Sequence, residues 1–166
     1  MSAVVSDSSP LNHLALLSDF DLLRGIYGAL VIPPAVYREV VESGLDYPVA
    51  AAVLAALGKW VSVASAPDAG PVASLQREHR PDLGESEAIL VAESLERVPL
   101  LMDERRGVKC ARSRGLAVIR TPLIYADARI LGLVASVRAK LDELRASGFH
   151  LSDCHYRMIL EELGEL

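Results

Sequence analysis

Short apolar runs alternate along this chain with longer segments in which apolar residues recur every three or four positions. Ala3–Ser6, Ala29–Ile32, Trp60–Ala64, Leu100–Met102 and Ala117–Arg120 are short and rich in Val, Leu and Ile, and they predict strands. The helical period and its capping residues predict helices over Pro10–Leu17, Phe20–Tyr27, Pro34–Glu42, Pro48–Leu57, Val72–His79, Glu85–Glu96, Glu104–Arg114, Pro122–Leu131, Val137–Ser147 and Ser152–Leu163. Pro34 stands at a first helical position, and Thr121-Pro122 reads as a cap followed by proline at N1. Ser65–Pro71 and Pro81–Gly84 read as loops. Strands alternating with helices predict the α/β class, a parallel sheet covered by helices on both faces.

Two of the predicted strands end in a carboxylate. Ala3-Val4-Val5-Ser6 runs into Asp7, and Leu100-Leu101-Met102 runs into Asp103. Ligands of open α/β sheets bind outside the carboxyl ends of the strands. Two strands that end this way would bring two acids to one crevice, where their repulsion opposes folding unless a cation lies between them. Each acid alone is explained as an N-cap of the helix that follows; the two together favour a metal-binding carboxylate cluster.

Composition limits the alternatives. At 166 residues the chain suits one domain, 1–166, with its own core. Hydrophobic residues make up 51% but aromatics only 5%, so the core is aliphatic, and Trp60 reads as part of it. The net charge of −5 means that a nucleic acid would have to be held by a local patch. Cys110 and Cys154 are too few and too far apart for a disulfide framework or a four-cysteine zinc site. The segment Met1–Asp7 has no basic n-region, and Pro48–Leu57, the longest apolar stretch, is too short to span a bilayer. These features predict a soluble cytoplasmic protein with no membrane partner.

Two helices add acids. At about 100° per residue, Val36, Tyr37, Val40 and Val41 share an apolar stripe, and Glu39 lies at its margin. In the helix after Gly84 the stripe is Ala88, Val91, Ala92 and Leu95; Glu87 borders it, whereas Glu85 is explained by the helix dipole alone. Carboxylates gathered in one crevice suit a hard divalent cation, which can lower the pKa of bound water and neutralise charge on a phosphoryl oxygen.

The segments Val4–Leu11, Val31–Val40, Leu83–Ile89 and Leu100–Asp103, in that order, resemble the successive motifs of PIN-domain nucleases. The tail Gly148–Asp153 is similar to a largely uncharacterised prokaryotic PIN-like branch related to VapC-type toxins. The resemblance implies a three-layer α/β/α sandwich and Mg²⁺- or Mn²⁺-dependent cleavage of RNA. It implies Asp7, Glu39, Glu87 and Asp103 as the catalytic, metal-binding acids. Many prokaryotic members are toxins of toxin–antitoxin pairs, so RNA, an antitoxin protein and a second copy of the chain are the partners to consider. Where the family has a small Gly-Thr-Gly-like turn after the last strand, this chain has Arg120-Thr121-Pro122.

After Asp103 come Arg105, Arg106, Lys109, Arg112, Arg114 and Arg120. Arg105, Lys109 and Arg112 share a helix face, as a phosphate-backbone track or as a solvated face of the helix. Ser8 and Ser9 read as caps or as partners of Asp7 rather than as nucleophiles, because no histidine lies beside them and no G-x-S-x-G elbow exists. Two functions remain: a metal-dependent endoribonuclease, or a catalytically inactive PIN-like scaffold that binds RNA or a protein. The acids favour the first; the altered turn and the net acidity favour the second.

Overall fold

The computed structural model describes residues 3–166; Met1 and Ser2, the start of the segment read above for a targeting signal, lie outside the described residues. The elements in chain order are β1 (Ala3–Ser6), α1 (Ser8–Leu16), α2 (Leu22–Tyr27), β2 (Ala29–Ile32), α3 (Pro34–Tyr37), which runs on as a π-helical turn over Arg38–Glu42, and α4 (Pro48–Ala56). Then follow β3 (Val61–Val63), α5 (Ala69–Glu78), α6 (Leu83–Ser94), β4 (Leu100–Leu101), α7 (Arg105–Ser113), β5 (Val118–Ile119), α8 (Thr121–Ile130), α9 (Val137–Ala146) and α10 (Asp153–Glu162).

Among the described residues, five parallel strands form one sheet in the order β3-β2-β1-β4-β5. Strand side chains alternate between faces, and this alternation builds two cores. Val4, Leu30, Ile32 and Leu101 point into one, filled by α1, α2, α4, α8, α9 and α10. Val5, Leu100 and Met102 point into the other, against α6, α7 and Leu75 of α5. The architecture is a three-layer α/β/α sandwich around a parallel sheet. No helix among the described residues is long and apolar enough to cross a membrane.

Several helix starts differ from the expectation, each for a local reason. α1 begins at Ser8 rather than Pro10. Proline is tolerated in the first turn, where the backbone N–H groups lack intrahelical partners anyway. α5 begins at Ala69, so Pro71 likewise falls in a first turn. α6 begins at Leu83, and Gly84 is helical rather than part of a loop. A capping box overrides glycine's poor propensity there: Asp82 Oδ1 accepts from the Glu85 amide and Glu85 Oε2 from the Asp82 amide, both at 2.8 Å. At α8 the cap position is Arg120, with Thr121 at N1 and Pro122 at N2. Thr121 is not the cap because its hydroxyl is engaged by Asp103.

Candidate active site

The sheet order reverses direction between β1 and β4, which is where open parallel sheets form a ligand crevice. Val5 lies opposite Leu100 and Ser6 opposite Leu101, and the Asp7 amide donates to the Leu101 carbonyl at 3.0 Å. The two strands therefore end side by side, with Asp7 leaving one and Asp103 following the other.

Asp7 occupies the N-cap position of α1 but makes no side-chain capping bond. Its carboxyl is buried, and burial pushes it up to about 8; Asp82, Glu85 and Glu39 add repulsion, and the Ser8 backbone opposes them. Gly84 lies close by: a Cβ there would meet Asp7 Oδ1 at 3.4 Å.

The side chains of Ser8 and Ser9 hold other acids, not Asp7. Ser8 Oγ donates to Glu39 Oε2 at 2.8 Å, and Ser9 Oγ donates to Asp103 Oδ2 at 3.1 Å. The first turn of α1 thus ties Glu39 on one side and Asp103 on the other to the end of β1. Asp103 also accepts from the Thr121 amide at 2.8 Å and the Thr121 hydroxyl at 2.7 Å, so three donors fix its orientation. Glu39 is carried by the π-helical turn, an irregularity frequent at functional sites, and is exposed while Val40 and Val41 behind it are buried.

The two acids of α6 diverge. Glu87 is buried, and its Oε2 accepts from the Ala35 amide at 2.8 Å, joining α6 to the first turn of α3. Glu85 is buried too, and burial pushes it up to about 7, with Asp82, Glu104 and Glu39 adding repulsion against the Asp82 backbone bond. Its other flank meets α7, where a Cβ on Gly107 would lie 3.2 Å from Glu85 Oε1. The geometry thus brings Asp82 and Glu85, with Glu39, into the electrostatic neighbourhood of Asp7, while Glu87 is held at the Ala35 amide and Asp103 at Ser9 and Thr121. The D-x-x-E spacing of a capping box was a legible signal for Asp82. Nothing local marked Ser8, Ser9 or Thr121, whose partners lie 18 to 94 residues away.

Arg105, Lys109 and Arg112 are exposed along α7, while Gly107, Val108, Cys110 and Ala111 form its buried side. Arg114 is outside that track, because Glu93 takes its Nε and Nη2 at 2.7 and 2.9 Å.

Residues 3–165 match a family described as a PIN domain. The chain belongs to the PIN-domain family. No curated protein matches it, and no solved structure does.

PIN domains are generally nucleases and typically use divalent metals. The residues of this PIN domain fit such an ion by charge and donor type. Asp7 and Glu85 are held high by burial among further carboxylates, and among the described residues no Lys or Arg forms an ion pair with Asp7, Glu39, Asp82, Glu85, Glu87 or Asp103. Among the described residues no group of three or more His, Cys, Asp or Glu side chains is arranged so that it could hold a metal ion. Mg²⁺ needs no such group, since it takes one or two carboxylates directly and keeps water in its remaining positions.

Proposed function

We propose that this PIN-domain protein is a Mg²⁺- or Mn²⁺-dependent endoribonuclease that hydrolyses RNA phosphodiester bonds. One observation carries the reading: the three consecutive residues Asp7, Ser8 and Ser9 supply one acid and bind two more, Glu39 and Asp103, at the β1/β4 switch point. Asp7 and Asp103 are the metal-facing acids, with Glu39 and Glu87 completing the oxygen set. A bound divalent ion would neutralise phosphoryl charge and acidify water there. The serine and threonine donors keep Glu39 and Asp103 oriented without adding positive charge. Glu87 keeps its second carboxylate oxygen available while the Ala35 amide holds the first. Asp82 and Glu85 deepen the negative field that makes an ion favourable.

RNA reaches the crevice along α7, where Arg105, Lys109 and Arg112 offer phosphate contacts beside Asp103. The same exposed cations suit an acidic segment of an antitoxin protein, the setting in which the enzyme would act as a toxin.

The test is cleavage of single-stranded RNA by the full chain with Mn²⁺ and with chelator. The parent should cleave only with metal, and Asp103→Asn should not cleave while melting cooperatively. Metal-dependent RNA binding without cleavage would favour the inactive scaffold.

A further inference from the structure

The turn between β5 and α8 carries a cation that, among the described residues, has neither a hydrogen-bond nor an ion-pair partner. Arg120 occupies the cap position of α8, directly before Thr121, whose amide and hydroxyl hold Asp103. Its guanidinium lies over the ring of Phe149, 5.9 Å from the centroid. That distance is at the outer edge of a cation–π contact. His13 meets the same ring edge-on at 5.0 Å. Arg120 Nε is buried and has no hydrogen-bond partner, and among the described residues no carboxylate pairs with the side chain. A buried donor left unsatisfied is destabilising. The guanidinium is therefore held in place by ring packing rather than by an anion of its own chain, beside a crevice full of carboxylates that it does not neutralise.

We propose that Arg120 binds a phosphodiester of the RNA strand next to the one that Asp103 faces, with Phe149 as the floor that orients its fork; this deepens the ribonuclease reading and rests on it. The half-buried side chain leaves its terminal nitrogens to take phosphate oxygens, the geometry for which a guanidinium is suited. His13 stands one helical turn beyond Ser9 on α1, and Phe149 packs in the core on the α1 face of the sheet, whereas α7 packs in the core on the other face. An RNA strand crossing the acids would then meet cations on both sides: the α7 track on one and Arg120 on the other.

The experiment measures binding of a short fluorescent single-stranded RNA to the full chain with Mn²⁺, using RNAs that carry one uncharged methylphosphonate linkage at successive positions. These linkages are placed along a strand made resistant to hydrolysis by 2′-O-methyl groups. Arg120→Gln should weaken binding about 10-fold and lower the slope of log affinity against log salt by about 0.7, the value of one phosphate on a single strand. One methylphosphonate position should weaken the parent but leave Arg120→Gln unaffected, because the contact is already gone. Arg120→Lys should restore the slope but only part of the affinity. Arg120→Met, which replaces the unsatisfied donor with an apolar chain, should melt no lower than the parent. It should bind RNA as weakly as Arg120→Gln, which excludes unfolding as the cause. Equal affinity and slope in parent and Arg120→Gln would overturn the proposal. So would unchanged RNA binding with loss of polyglutamate binding, which would give the site to an acidic protein. A parent that cleaves RNA while Arg120→Gln does so with the same KM refutes this contact alone; a parent that never cleaves refutes the ribonuclease reading.

Discussion

Replacing Asp7 by Asn should change how stability depends on pH. In the unfolded chain this carboxyl gives up its proton near 3.8, whereas in the fold it keeps it until about 8. Between those values the native state binds more protons than the unfolded state, so stability falls as pH rises. The stabilisation is fully present below the unfolded value and is lost as pH passes through the folded one. A displacement of about four units corresponds to a ceiling of about 5–6 kcal/mol. Water entry and side-chain relaxation bring the effect of one ionised buried group down to a few kcal/mol. Asn resembles the protonated acid in shape and cannot ionise. Urea unfolding in chelator, from about pH 5 to about pH 9, should show the parent losing a few kcal/mol relative to Asp7→Asn, which becomes the more stable protein at the alkaline end. Glu85, which titrates near 7, should leave a shallower slope in both. Mn²⁺ should restore stability to the parent at alkaline pH, by about 2.7 kcal/mol at a hundred times its dissociation constant, and do much less for the variant. Parallel pH profiles for the two proteins in chelator would refute the reasoning.

Other substitutions separate charge from structure. Glu85→Gln preserves the capping box, because glutamine serves in it too, so it should weaken Mn²⁺ affinity several-fold and raise stability at pH 8 without loss of helix by circular dichroism. Glu87→Gln keeps an acceptor for the Ala35 amide and should abolish cleavage with a cooperative melt; cleavage lost in Glu85→Gln but retained in Glu87→Gln would exchange their roles. Gly107→Ala places a Cβ 2.5 Å from Met102 Sδ and 3.1 Å from Glu85 Cδ, and overpacking of this kind should cost about 1–3 kcal/mol in urea unfolding and reduce activity by shifting Glu85. Replacing Arg105, Lys109 and Arg112 together by Gln should flatten the salt dependence of RNA binding by about 2 in slope, with Mn²⁺ affinity unchanged by calorimetry; identical slopes would return that face of α7 to solvent alone.

How much of this was legible in the chain depends on the range over which each feature is decided. The strands, the helices and the division of the sheet into two buried faces follow from hydrophobic period, because a side chain's face is set by its position modulo two in a strand and by about 100° steps in a helix. β1, β2 and their carboxyl ends were readable to the residue, and so was the arrival of an acid at the end of β1 and after β4. Boundaries shifted where short-range competitions are close, as at Ser8, Ala69 and Leu83, where prolines and a glycine sit in first turns that tolerate them. The π-helical turn that carries Glu39 has no residue pattern of its own, since it depends on how α3 packs against its neighbours. The connections among the acids belong to tertiary structure altogether. Strand order brings Asp7 beside Asp103, and only then can Ser9 and Thr121 reach across to hold one carboxylate. Glu87 was drawn to the Ala35 amide and Glu85 into a field of further carboxylates by the same means. Local sequence determines which way a side chain leaves the backbone, whereas the partner at its tip comes from another element and exists only once both are packed.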